Sequence, residues 1–150
     1  MQEKEKRPPF ILYAEDDDDD FLLVKDAFVE AGFKGELCRV KNGEELMETL
    51  LGGPGAVVSA DIKRPMIILL DLNMPRKDGR EALKEIKTNS ELKRIPVIIV
   101  TTSRAEEDVF HSYDLGANAF VRKPIHFDKF VDVARQINKH WFETVILPSN

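Results

Sequence analysis

A single cysteine, Cys38, stands in a chain of 150 residues, so no disulfide can form within it. It sits in an alternating apolar segment, where it reads as a small buried hydrophobe in a reducing compartment. Apolar stretches long enough to cross a bilayer are absent, and residues 1–9 are charged and lack the apolar core of a signal peptide. A cytoplasmic protein with a short mobile lead-in is expected. Positive charge is also scarce: 22 basic residues face 27 acidic ones, net charge is -5, and the basic residues are scattered. That argues against nucleic acid or an anionic membrane as partner and for a protein or a small ligand. His111, His126 and His140 lie far apart without metal-ligand spacing and read as surface residues. At 43% hydrophobic content the chain fits one domain with a real core, working through one site or one surface.

What is present is organised around Met66-Ile67-Ile68-Leu69-Leu70-Asp71, an unbroken apolar run ending in one carboxylate. Lack of alternation predicts a strand buried on both faces, as in a parallel sheet, whose ligand sites lie beyond the carboxyl ends of the strands. Asp71 is then aimed at a site. Taken alone, opening a turn is the commoner role for an Asp at a strand end.

Residues 10–14 form a first apolar strand, and it too runs into carboxylates, the six acids Glu15 to Asp20. Phe21, Val24, Lys25, Phe28 and Val29 follow at helical spacing and stop at Gly32. Helix capping accounts for Asp18 to Asp20, whereas Glu15 and Asp16 lie too close to the strand end for it. A strand at 37–40 and a helix led by Asn42-Gly43 come next. The stretch Gly52 to Pro65 is a surface loop longer than such a connection needs. After the Asp71 strand, a turn through Pro75 to Gly79 precedes a helix from Arg80 to about Asn89, with Ala82, Leu83 and Ile86 inward. A fourth strand at 97–100 ends in Thr101-Thr102-Ser103, a helix runs from Glu106 to Leu115, and a fifth strand at 119–122 ends at Lys123-Pro124. The last helix carries Phe127, Phe130, Val131, Ala134, Ile137 and Trp141. This alternation predicts an α/β domain with a five-stranded parallel sheet, doubly wound as (βα)5.

In such a sheet the strand ends converge, so Glu15, Asp16, Asp71, Thr101 and Lys123 share one cleft. Clustered carboxylates repel unless a cation joins them, and oxygen ligands without His or Cys favour a hard ion such as Mg²⁺. A hydroxyl and an ammonium beside that ion suit phosphoryl oxygens. The chemistry inferred is metal-assisted phosphoryl transfer to or from a carboxylate.

In order and spacing, Glu15-Asp16, Asp71 with Met74-Pro75, Asp78-Gly79, Thr101 and Lys123-Pro124 resemble the receiver domain of two-component response regulators, across nearly the whole chain. Residues 78–81, 92–96, 101–103 and 141–145 look further like single-domain regulators of phytochrome-type histidine kinases. The resemblance implies a flavodoxin-like receiver fold and a phosphoacceptor signalling protein, not an enzyme on a foreign substrate, which catalyses its own phosphorylation and dephosphorylation. It implies that Asp71 accepts the phosphoryl group, that Asp16, Asp71 and the Asn73 main-chain carbonyl hold Mg²⁺ with Glu15 contacting it through water, and that Thr101 and Lys123 bind phosphoryl oxygens. Phe120 matches the switch aromatic, though it also reads as an ordinary sheet residue, and Lys123-Pro124 matches a bond that is usually cis. Two departures stand out: the extra acids Asp17 to Asp20, and the long Gly52 to Pro65 loop.

A haloacid dehalogenase type phosphohydrolase would need a second acid two residues after Asp71, where Asn73 stands. A plain interaction module would not need the acid, Thr and Lys set. The partners implied are a sensor histidine kinase and, alternatively, a histidine phosphotransfer protein. Residues 1–9 are assigned to the lead-in, 10–140 to the receiver and 141–150 to a C-terminal extension. Phe142, Val145, Ile146, Leu147 and Pro148 are surplus to a five-strand core, which predicts a homodimer through the last helices and this extension, the alternative being a tail that folds back over its own domain.

Overall fold

The computed structural model describes residues 10–53, 65–102, 106–123 and 126–144. Strands and helices alternate as β1 Phe10–Ala14, α1 Asp18–Glu30, β2 Glu36–Val40, α2 Gly43–Leu51, β3 Ile67–Leu70, α3 Gly79–Thr88, β4 Val97–Thr101, α4 Glu106–Asp114, β5 Ala119–Arg122 and α5 Phe127–Asn138. A π-helical segment, Lys139–Thr144, continues directly from α5. All neighbouring strands pair in parallel, in the order β2-β1-β3-β4-β5. The expected five-stranded, doubly wound sheet is therefore the one observed.

The two-sided burial of the apolar runs has a direct counterpart. Every residue of β1, β3 and β4 is buried, and alternate side chains enter different cores. Leu12, Ala14, Ile68, Leu70, Val97 and Ile99 pack toward α2 and α3 with Leu46, Leu50, Leu83 and Ile86. Ile11, Tyr13, Ile67, Leu69, Ile98 and Val100 pack on the other face with Val24, Phe28, Phe130, Val131 and Ile137 of α1 and α5. This division follows from the period-2 geometry of a strand. Cys38 and Val40 share the first of these cores, with Cys38 half-buried, and burial pushes its thiol pKa up.

Several expectations shift. The helix cap is Asp17, whose side chain accepts from the Asp20 N–H, so Asp18, Asp19 and Asp20 form the first helical turn. Val29, part of the helical pattern read for α1, is 67% exposed, and Phe127 at the start of α5 is 36% exposed. The final stripe departs most. Trp141 lies beyond α5, in the π-helical segment, and both it and Phe142 pack against the α1 and α5 core, the Phe142 ring 5.5 Å from Phe33. The wider π turn changes the angle between successive side chains, so two adjacent aromatics reach one core. Phe142 is thus part of the domain and not surplus to it, and the domain continues past residue 140. The bulk of the Gly52 to Pro65 loop, the Lys123-Pro124 bond and residues 145–148 lie outside the described residues. Among those described, no helix is long and apolar enough to cross a membrane.

Candidate functional site

Strand order reverses beside β1: the chain steps outward from β1 to β2, then returns to β3 on the other side. At such a switch point the loops leaving the two strands diverge and open a crevice beyond their carboxyl ends. Glu15-Asp16 leave β1 and Asp71 leaves β3, side by side. The ladder extends past the strands to hold them there, with Glu15 N–H donating to Val40 O at 2.9 Å, Asp71 N–H to Ala14 O at 3.1 Å and Lys123 N–H to Thr101 O at 2.9 Å. Site residues are thereby fixed by the sheet, with no flexible loop intervening.

Carboxylate oxygens of Glu15, Asp16 and Asp71 all lie within 4.8 Å of one another. Glu15 and Asp71 are buried, at 1% and 5% exposure, while Asp16 is exposed. Lys123 reaches across this group, its Nζ donating to Glu15 Oε2 at 2.5 Å, Asp20 Oδ2 at 2.9 Å and Asp71 Oδ2 at 3.5 Å. Burial by itself would lower the Lys123 pKa, but the hydrogen bonds to Glu15 and Asp20 and the charge of Asp71 outweigh it and hold the ammonium above the ordinary lysine value. For Glu15 the environment disfavours the charged form. Burial raises its pKa to about 7, aided by the Asp71 charge and opposed by Lys123. One ammonium does not neutralise this many acids, so the crevice carries surplus negative charge. A donor set of carboxylate oxygens alone, in surplus, fits a hard divalent cation.

Further contacts explain how the acidic loop is shaped. Tyr13 O–H donates to Glu15 Oε2 at 2.9 Å, and the Asp17 N–H to Glu15 Oε1 at 3.2 Å. Burial, and then the Glu15 charge, push the Tyr13 phenol well above its usual range. Arg39 of β2 ties the two ends of the loop, donating from Nε to the Glu15 carbonyl at 2.8 Å and from its guanidinium to Asp18 Oδ1 at 2.6 Å, and it lies 5.0 Å over the Phe21 ring. On the far side Gly79 packs so tightly beneath Asp71 that an added Cβ would lie 2.2 Å from the Asp71 carbonyl oxygen. Only glycine permits that approach. Asp78 beside it caps α3 by accepting from the Glu81 N–H at 3.0 Å.

The residues picked from sequence therefore meet at one edge. Thr101 is fully buried at the end of β4, and Asn73, exposed, sends its N–H to Asp71 Oδ1 at 3.4 Å. Phe120 is half-buried against the α2 and α3 core and pairs in register with Ile99, two positions before Thr101. Missed by sequence reasoning were Asp20, Arg39 and Tyr13. A signal existed for Arg39, a lone cation in an otherwise mostly apolar strand that pairs in register with Tyr13, two residues before Glu15. Asp20 was hidden among identical neighbours.

Comparison with known proteins agrees with this geometry. Residues 11–135 match the family described as the response regulator receiver domain. The response regulator Rcp1 of Synechocystis is 39% identical over 149 residues, 99% of either chain. Among solved structures, the phosphorylated cyanobacterial phytochrome response regulator RcpA superposes with a TM-score of 0.86 at 39% identity, over 94% of this chain and 99% of that one. The Mn²⁺-bound form of Rcp1 gives 0.84 at 39% identity, over 95% and 100%.

Proposed function

The chain belongs to the response regulator receiver domain family, and from that premise we propose that Asp71 accepts a phosphoryl group from the phosphohistidine of a sensor kinase, of the phytochrome type in view of the relatives. The observation that carries this reading is the meeting of Asp71 with Lys123 and with the Glu15-Asp16 pair at one sheet edge. In the transfer, an Asp71 carboxylate oxygen bonds to phosphorus as the phosphorus–nitrogen bond of the donor breaks, and the bonding pair leaves on the imidazole nitrogen. Two anions must approach each other. Glu15, Asp16, Asp71 and the Asn73 main-chain carbonyl would hold Mg²⁺, which when bound neutralises charge developing on the phosphoryl oxygens. The Mn²⁺-bound form of a similar protein supports a divalent ion here.

Lys123 supplies a charge-assisted hydrogen bond to the transferred group, and the Thr101 hydroxyl, at the end of the neighbouring strand, a second one. Drawing Thr101 inward would free space for Phe120 and alter the surface of α4, β5 and α5, which is the signal. Passing the group to a histidine phosphotransfer protein is the other route the chemistry permits. The same surface, where Tyr113 and Phe127 are 48% and 36% exposed, is where we expect a homodimer, checked by light scattering at several concentrations before and after phosphorylation. Intact-mass measurement with acetyl phosphate tests the central reading. Wild type should gain one phosphoryl group in Mg²⁺ and none in EDTA, and Asp71→Asn should gain none. Equal labelling of Asp71→Asn would refute the assignment.

A further inference from the structure

Lys123 has three N–H donors, and all three already have carboxylate partners: Glu15, Asp20 and Asp71. A phosphoryl oxygen arriving on Asp71 must therefore displace one of them. Glu15 cannot leave readily, because it is 1% exposed and is also held by Tyr13 O–H and the Asp17 N–H. Asp71 is the residue that carries the group. Asp20 differs from both: it lies outside the carboxylate group suited to a metal, its side chain is 41% exposed, and one α1 rotamer change returns it to water.

We propose that Asp20 is a positioning residue that keeps Lys123 aimed into the cleft while Asp71 is unmodified, and surrenders its N–H donor to the phosphoryl group once it is transferred. This rests on Asp71 being the phosphoacceptor. The run of acids is then divided by task. Glu15 and Asp16 serve the cation, Asp17 caps α1, Asp18 holds Arg39, and Asp20 occupies the lysine. Its cost is speed, since Asp20 competes with the phosphoryl group for a donor and repels it.

Rates of labelling by acetyl phosphate at saturating Mg²⁺ test this, together with the affinity of the unmodified protein for the phosphoryl mimic fluoroberyllate. Asp20→Asn should be labelled roughly 2–5-fold faster than wild type and bind fluoroberyllate tighter by a similar factor, the size expected of a partly exposed ion pair. Exposed Asp19 serves as the charge control, and Asp19→Asn should leave both values near wild type. Asp20→Ser repeats the test with a smaller side chain. A gain of rate and affinity is not what loosened structure produces. If wild type is labelled on Asp71 but Asp20→Asn and Asp20→Ser are no faster, or Asp19→Asn is accelerated as much, the proposal is overturned. If wild type itself takes up no phosphoryl group, the phosphoacceptor reading has failed instead.

Discussion

Two lysines are drawn into this domain at opposite edges of its sheet, and their surroundings differ in kind. Lys123, just past the carboxyl end of β5, is held by Glu15, Asp20 and Asp71. Lys87 of α3 works near the amino ends of β4 and β5, donating to the carbonyls of Lys93 and Ile95 at 3.1 and 2.8 Å and to Asn118 Oδ1 at 3.1 Å. Asn118 Oδ1 also accepts from the Val97 N–H at 2.9 Å, so Lys87 ties the loop before β4 to the turn before β5. Neutral dipoles do not repay desolvation of an ammonium as carboxylates do. Burial accordingly lowers the Lys87 pKa, while the Lys123 pKa is raised in spite of burial. The dipoles brace a structure. The charges leave a site with surplus anions.

The largest effect should come from the charged edge. Lys123→Ala strands Glu15 and Asp71 without a cation, and in EDTA at neutral pH should cost about 2–4 kcal/mol of unfolding free energy, with Mg²⁺ restoring part of it. Urea denaturation with and without the ion measures both, and equal losses in the two conditions would sink the charge argument. At the dipole edge, Lys87→Met keeps the aliphatic stem and loses hydrogen bonds only. It should cost about 1–2 kcal/mol and leave the rate of Asp71 labelling within a factor of about two. A variant that folds normally yet labels slowly would show that the two edges are coupled.

The smallest effect lies in alkaline pH dependence, where the signs are opposed. Lys87 has a folded pKa below its ordinary 10.5, so its favourable contribution is present above that value and is lost as pH falls through the folded pKa. Lys123 has a folded pKa above 10.5, so its contribution is present below that value and is lost as pH rises through the folded pKa. Stability of wild type relative to Lys87→Met should therefore rise toward pH 10, while that relative to Lys123→Ala stays level there and falls only at higher pH. Parallel curves would mean that the two environments are alike after all.

Much of this was legible in the residues themselves. Unbroken apolar runs announced strands buried on both faces, because only such strands dispense with alternation, and each run ended in the polar residue that reaches the cleft. The chemical grouping of Glu15, Asp16, Asp71, Thr101 and Lys123 followed from parallel topology alone. Its limits are equally physical. Six acids in a row carry no periodicity to tell them apart, so the division of Asp17, Asp18 and Asp20 among a helix cap, Arg39 and Lys123 depends on where α1 starts and on what β2 and β5 bring near it. Phe142 looked excessive beside Trp141 because a regular helix would face the two different ways, and only the π-helical turn beside Phe33 brings both inward. Local pattern thus determined the strands and their order of polar endings. Which charge answers which was decided by the tertiary structure, since ion pairs between residues up to 108 positions apart depend on distances that no local pattern encodes.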